Sequence, residues 1–187
     1  MNQNTEHPLS LFTHCPKCGS ERFEINSEKS KRCNDCGFVY YFNSSAATVA
    51  FITNETGDLL VCRRAKEPAE GTLDLPGGFV DLHETGEEAI IREVKEETTL
   101  EISELRYLFS LPNIYLYSGF TVHTLDMFFE CKTKNSETLQ ANDDITECFF
   151  LQKEKININE FGLISIRKGV EKWLELKKNY ICRENYF

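Results

Sequence analysis

A chain of 187 residues that is 41% hydrophobic and carries 14 phenylalanines holds enough core material for one ordinary domain and a small appendage, which excludes a disordered chain. A net charge of −9 argues against a general binder of nucleic acid or anionic membrane. No apolar run reaches the roughly 18 residues of a membrane span, and the start Met1-Asn2-Gln3-Asn4-Thr5-Glu6-His7 lacks the basic and apolar stretches of an export signal.

A cytoplasmic protein is therefore expected, and its eight cysteines point to metal binding or free thiols rather than disulfides. The first 42 residues hold two knuckles, Cys15-Pro16-Lys17-Cys18-Gly19 and Cys33-Asn34-Asp35-Cys36-Gly37. Each Cys-x2-Cys turn aims two sulfurs at one point, and four thiolates close a structural Zn²⁺ site with no position left for water or substrate. A segment this short buries too little to fold alone, so the metal would supply what the core lacks. Free or oxidised cysteines and an iron centre are the alternatives. Short strands are expected at Arg22–Ile25 and Phe38–Tyr41. Five basic residues (Lys17, Arg22, Lys29, Lys31, Arg32) balance five acidic ones (Glu6, Glu21, Glu24, Glu28, Asp35). That balance leaves no electrostatic footprint for a phosphate backbone, so a packing or dimerisation role is favoured over nucleic-acid binding.

From residue 45 to 187 the texture is that of a mixed α/β domain. Ala47–Ile52 reads as a strand, with Leu59–Cys62 returning as its hairpin partner after the turn at Asn54–Asp58. A loop rich in Pro and Gly leads to Pro76-Gly77-Gly78-Phe79-Val80. A helix follows from about Gly86 to Thr98, announced by Thr85 and Glu88 in capping-box spacing. Further strands are expected at Arg106–Leu111, His123–Cys131 and Cys148–Leu151. A last helix over about Glu160 to Lys178 carries Leu163, Ile166, Val170, Trp173 and Leu174 on one stripe. Cys62, Cys131 and Cys148 sit in strand-like surroundings and read as core.

Glu93, Glu96 and Glu97 are spaced i, i+3 and i+4, so three carboxylates share one helical face. Unpaired, they repel one another; Arg92 offsets part of that through Glu88 and Glu96. Clustered oxygen donors are what hard cations such as Mg²⁺ bind, while a solvated charged face is the plain alternative.

The surrounding residues carry a resemblance. Gly78, five residues, Glu84, seven residues, then Arg92-Glu93-Val94-Lys95-Glu96-Glu97 resembles the Nudix box, with Thr99 where the family pattern has Gly and Leu100 at its aliphatic place. The resemblance implies a mixed-sheet α-β-α sandwich and a metal-dependent pyrophosphohydrolase. It implies that Glu93, Glu96 and Glu97 ligate Mg²⁺ or Mn²⁺ with the Gly77 carbonyl, that Arg92 and Glu84 orient those carboxylates, and that a nucleoside diphosphate linked to a second moiety is cleaved to NMP and a phosphorylated partner. The family's acidic segment before its last sheet strand resembles Asp143-Asp144-Ile145-Thr146-Glu147, making Asp144 the general base, with Glu147 behind it; a solvated turn is the alternative. Homodimers are common among such enzymes.

A zinc ribbon ahead of such a domain resembles the NADH pyrophosphatase and ADP-ribose pyrophosphatase group. Of the NADH group's further array, Ser110, Pro112 and Ser118 match, but its Trp and later prolines are absent, so NADH specificity is not carried over. Tyr115 and Tyr117 could stack on a base or serve simply as strand residues. Arg63 and Arg64 could hold a substrate phosphate bidentately or form an exposed loop pair. Rival functions are hydrolysis of a nucleoside triphosphate or dinucleoside polyphosphate, and a non-catalytic nucleotide sensor on the same scaffold.

Overall fold

The computed structural model describes residues 7–134, 138–142 and 145–184, with side chains to residue 178. The N-terminal part is a three-stranded antiparallel sheet of β1 (Phe23–Ser27), β2 (Ser30–Cys33) and β3 (Val39–Tyr41), in that order. The middle strand β2 was not legible in the sequence, because Ser-Lys-Arg-Cys has neither apolar alternation nor β-branched residues. The core cluster of this N-terminal part is Cys15, Phe23 and Cys33, with Phe38 packed beside them, and Leu9 is also fully buried.

The rest contains β4 (Ser45–Ile52), β5 (Leu59–Arg64), β6 (Leu73–Asp74), α1 (Gly86–Thr98), β7 (Ile102–Tyr117), β8 (Phe120–Thr133), β9 (Ile145–Leu151) and α2 (Ile164–Glu184). One sheet has the order β4-β8-β7, with β4 parallel to β8 and β7 antiparallel to it. The other is antiparallel, in the order β6-β5-β9. The expected hairpin of β4 with β5 is thus corrected: the two strands join different sheets, and the bridge between them pairs Thr53, just beyond β4, with Leu59. A tight turn at Asn54–Asp58 predicts that the chain reverses, not that the flanking strands pair.

Strand alternation builds two cores from the same strands. Val49 and Phe51 of β4, Leu59 and Val61 of β5, and Phe128 of β8 meet Ile166, Val170 and Trp173 of α2. Ala50, Ile52, Leu60 and Phe129, alternating with these, meet Ile90 and Val94 of α1. This is the expected α-β-α sandwich. The last helix starts later than expected, at Ile164, because Ile158–Glu160 forms a separate 3₁₀ turn. Cys62 and Cys131 are buried and Cys148 is half-buried. Cys62 and Cys148 stand opposite each other on β5 and β9, with sulfurs 2.9 Å apart.

Candidate active site

Helix α1 begins as its sequence requires. The Thr85 hydroxyl accepts from the Glu88 backbone N–H (3.1 Å), and the Glu88 carboxylate accepts from the Thr85 backbone N–H (2.8 Å). Ala89, Ile90 and Val94 bury one face, which fixes the helix's rotation and thereby the direction of its acidic residues. It ends at Thr99 in a left-handed conformation, φ 61°, with its N–H donating to the Lys95 carbonyl. Here the position where the family pattern has Gly is occupied by a β-branched residue in a region such residues avoid.

The segment Pro76–Val80 lies antiparallel beside β4: Thr48 N–H donates to the Gly78 carbonyl (2.8 Å), Ala50 N–H to that of Pro76 (2.8 Å), and Val80 N–H to that of Ala46 (3.0 Å). Two glycines let it pass between β4 and α1. Gly77 has φ 149°, and a Cβ there would lie 2.0 Å from the Thr48 carbonyl oxygen. A Cβ on Gly78 would lie 2.6 Å from the Glu93 carboxylate.

Arg92 organises the carboxylates. Its Nε and Nη2 donate to the two oxygens of Glu84 (2.9 and 2.8 Å), and its Nη1 donates to Glu93 (2.7 Å) and Glu96 (3.1 Å). Nη2 also donates to the Phe79 carbonyl (3.0 Å), tying the array to the glycine strand. The Arg92 hydrogen bonds hold the Glu84 carboxyl below the usual range. Burial pushes the Glu93 carboxyl up against the pull of Arg92. Glu97 is 8% exposed and accepts from the Gly77 N–H at 2.9 Å. Burial pushes its carboxyl up to about 9, with Asp74 and Glu93 adding to the rise. A carboxylate so disfavoured in its ionised form, beside two others, is what a cation would relieve.

Glu97, Gly77 and Gly78 line a cleft of about 200 Å³, together with Arg64, Pro68, Asp74, Asn113, Tyr115, Thr124 and Asp126. The two arginines part company at a bulge between them. Arg64 reaches the cleft, donating to Asp74 (2.5 Å) and to the Pro68 carbonyl (2.7 Å). Arg63 pairs with Glu147 (2.6 Å) and does not line the cleft. Tyr115 lines the cleft, whereas Tyr117 is 58% exposed near the β7–β8 turn. Asp144 lies outside the described residues. Asn113, Thr124, Asp126 and Ser165 were missed in the sequence, although all are buried. A signal existed: Asp126 falls at an inward position of the strand His123–Cys131, two residues before the core Phe128.

Among the described residues, Cys15, Cys18, Cys33 and Cys36 are the one group of three or more candidate ligands whose donor atoms all lie within 4.8 Å of one another. The Cys15–Cys36 and Cys18–Cys33 sulfur distances are 3.7 and 3.6 Å. A tetrahedral Zn²⁺ with bonds of about 2.3 Å needs sulfurs roughly 3.8 Å apart, so this set is compatible with zinc. The three helix carboxylates are less tightly gathered. Their oxygen donors suit Mg²⁺ or Mn²⁺ in kind.

A sandwich with an Arg-centred carboxylate array on the helix that follows a glycine strand defines the Nudix class. The family model described as NUDIX domain matches residues 43–174, and the chain belongs to that family. It is 32% identical over 130 residues to an ADP-ribose pyrophosphatase of Methanocaldococcus jannaschii, covering 68% of this chain and 74% of that protein. It is 30% identical over 108 residues to the NAD-capped RNA hydrolase NudC of Vibrio atlanticus, covering 57% of this chain but 39% of that longer protein. A crystal structure of a NUDIX hydrolase from Nitrosomonas europaea matches with TM-score 0.71 and 22% identity, over 89% of this chain and 93% of that one. That last likeness bears on the fold alone.

Proposed function

We propose that this protein is a divalent-cation-dependent hydrolase that cleaves a nucleoside diphosphate linked to a second moiety, giving NMP and a phosphorylated partner. The observation that carries the reading is the Arg92-centred array, with Glu93 and Glu97 pressed against Gly78 and Gly77, beside the cleft that Glu97 and the two glycines line. Family membership and the relatives' activities support it. Glu93, Glu96 and Glu97, with the Gly77 carbonyl, would hold Mg²⁺ or Mn²⁺. Once bound, the cation supplies charge neutralisation on the diphosphate and a lowered pKa for the attacking water.

The chain's own residues do the rest. Arg92, locked by Glu84, keeps Glu93 and Glu96 turned toward one another, so little reorganisation is left for the reaction. Arg64, with two nitrogens fixed by Asp74 and Pro68, is placed to meet a phosphate at the cleft wall. Asp144 is the proposed acceptor for the water's proton as the oxygen bonds to phosphorus and the bridging P–O bond breaks. The ribbon, residues 1–42, would be a separate zinc-dependent unit.

A product-resolved assay with ADP-ribose, NADH and nucleoside triphosphates, each with Mg²⁺ or Mn²⁺, tests this reading. Metal-dependent release of NMP and a phosphorylated partner is expected. Release of pyrophosphate from triphosphates, with the linked diphosphates untouched, would overturn the substrate class.

A further inference from the structure

Asp126 is 4% exposed on β8 and lines the cleft. Its carboxylate accepts from the hydroxyls of Thr124 and Ser165 (the latter at 2.5 Å), and no cationic side chain among the described residues pairs with it. A carboxylate buried with two neutral donors and no cation is costly. Asn113 on β7 stands directly opposite Thr124 and is 5% exposed. Its Oδ1 accepts from the Ile114 N–H at 3.0 Å, and its amide N–H groups have no partner among the described residues. Asn113 and Asp126 are diagonal neighbours across the β7–β8 pair, roughly 7 Å apart at Cβ. One flat ring can meet both. Tyr115, Pro68, Leu163 and Ile166 line the same cleft and present apolar walls, which suit the faces of an aromatic ring better than a hydroxylated sugar.

We infer that Asp126 and Asn113 read the edge of a purine: the carboxylate accepts from an exocyclic amino group, and the amide donates to the adjacent ring nitrogen. The inference rests on the hydrolase reading and adds to it the two residues that select adenine as the base. It sets the base against Asp126 and Asn113 and leaves the diphosphate to Glu97 and Arg64, which line the same cleft. A base with oxygen in place of the amino group sets two acceptors face to face, a mismatch that buried sites punish by tenfold or more.

The test compares ADP-ribose with its hypoxanthine analogue, which differs at that edge alone, for the wild type, Asp126→Asn and Asn113→Asp. The wild type should favour adenine by about tenfold or more in kcat/KM, mostly through KM. Asp126→Asn, whose amide can donate to the oxygen, should shrink that preference about tenfold. Asn113→Asp keeps the acceptor that Ile114 uses but loses the donor, and should weaken the adenine substrate by a similar factor. No base preference in the wild type, or the same preference in both folded variants, overturns the inference. If the wild type hydrolyses neither compound, the hydrolase reading is what fails. Calorimetric binding of AMP against IMP then decides the pocket, and equal affinities or no binding of either would overturn it.

Discussion

In the ribbon, the core cluster is Cys15, Phe23 and Cys33 with Phe38 beside them, and two of those residues are themselves candidate ligands; Leu9 is the other buried apolar side chain among the described residues. On α1 the candidate ligands are extra to the packing: Ile90 and Val94 fix the helix against Ala50, Ile52, Leu60 and Phe129 whether or not Glu93 and Glu97 bind anything. The two regions therefore relate metal and fold in opposite senses. In the ribbon a metal would complete the fold. In the sandwich the fold is complete and holds carboxylates where they are unfavourable, as shown by the raised Glu97 carboxyl. Removing a ligand should cost stability in the first region and activity in the second.

The largest expected effect is on catalysis. Glu97→Gln should lower kcat/KM for a linked nucleoside diphosphate by about three orders of magnitude or more, with the circular dichroism spectrum unchanged. Near wild-type turnover would remove Glu97 from the site. Gly78→Ala drives a methyl into the Glu93 carboxylate and should cost roughly a hundredfold in rate. The thermal midpoint should barely move if Glu93 simply swings away.

Cys18→Ser, or zinc-selective chelation with Mg²⁺ kept in excess, should act the other way. The ribbon should become sensitive to protease while residues 43–174 stay resistant, and zinc content should fall. Activity losses should follow only from reduced solubility. A fully protease-resistant Cys18→Ser protein would contradict a structural metal there.

A pH dependence sharpens the contrast. Between the ordinary carboxyl value and about 9, metal-free folded protein keeps a proton on Glu97 that the unfolded chain releases. Its stability should therefore fall as pH rises through that window. Glu97→Gln should remove this contribution and raise the metal-free thermal midpoint at pH 8 by at least ~2 °C. Mg²⁺ should stabilise the wild type but not the variant. A variant midpoint at or below that of the wild type would contradict the burial argument. The smallest effect concerns Thr99, whose left-handed φ of 61° suits glycine. Thr99→Gly should stabilise by about 0.5 kcal/mol in denaturant unfolding, after loss of its hydroxyl bond to the Thr138 carbonyl.

Helix α1 was legible to the residue because its start signal, Thr85 with Glu88, and its buried stripe are local. So were the knuckles, whose geometry is set within four residues. The division of β4 and β5 between sheets was not, because both are continuous apolar runs that carry no record of their neighbours. Site residues followed the same rule. Glu93, Glu96 and Glu97 share a face by helix periodicity, and Glu84 joins them through the motif. By contrast, Asn113, Asp126 and Ser165 come from three elements: pairing of β7 with β8 brings Asn113 opposite Thr124, and docking of α2 brings Ser165 to Asp126. Arg63 and Arg64 are adjacent in sequence, but a bulge sends one to Glu147 and the other to the cleft.

The most direct test of the central claim is hydrolysis of ADP-ribose in heavy-oxygen water with Mg²⁺, products resolved by mass, for wild type and Glu97→Gln side by side. The account predicts AMP and ribose phosphate from the wild type alone, heavy oxygen in one of the two phosphates, and no reaction without the cation. Equal turnover by Glu97→Gln, or cleavage that ignores the cation, would contradict it.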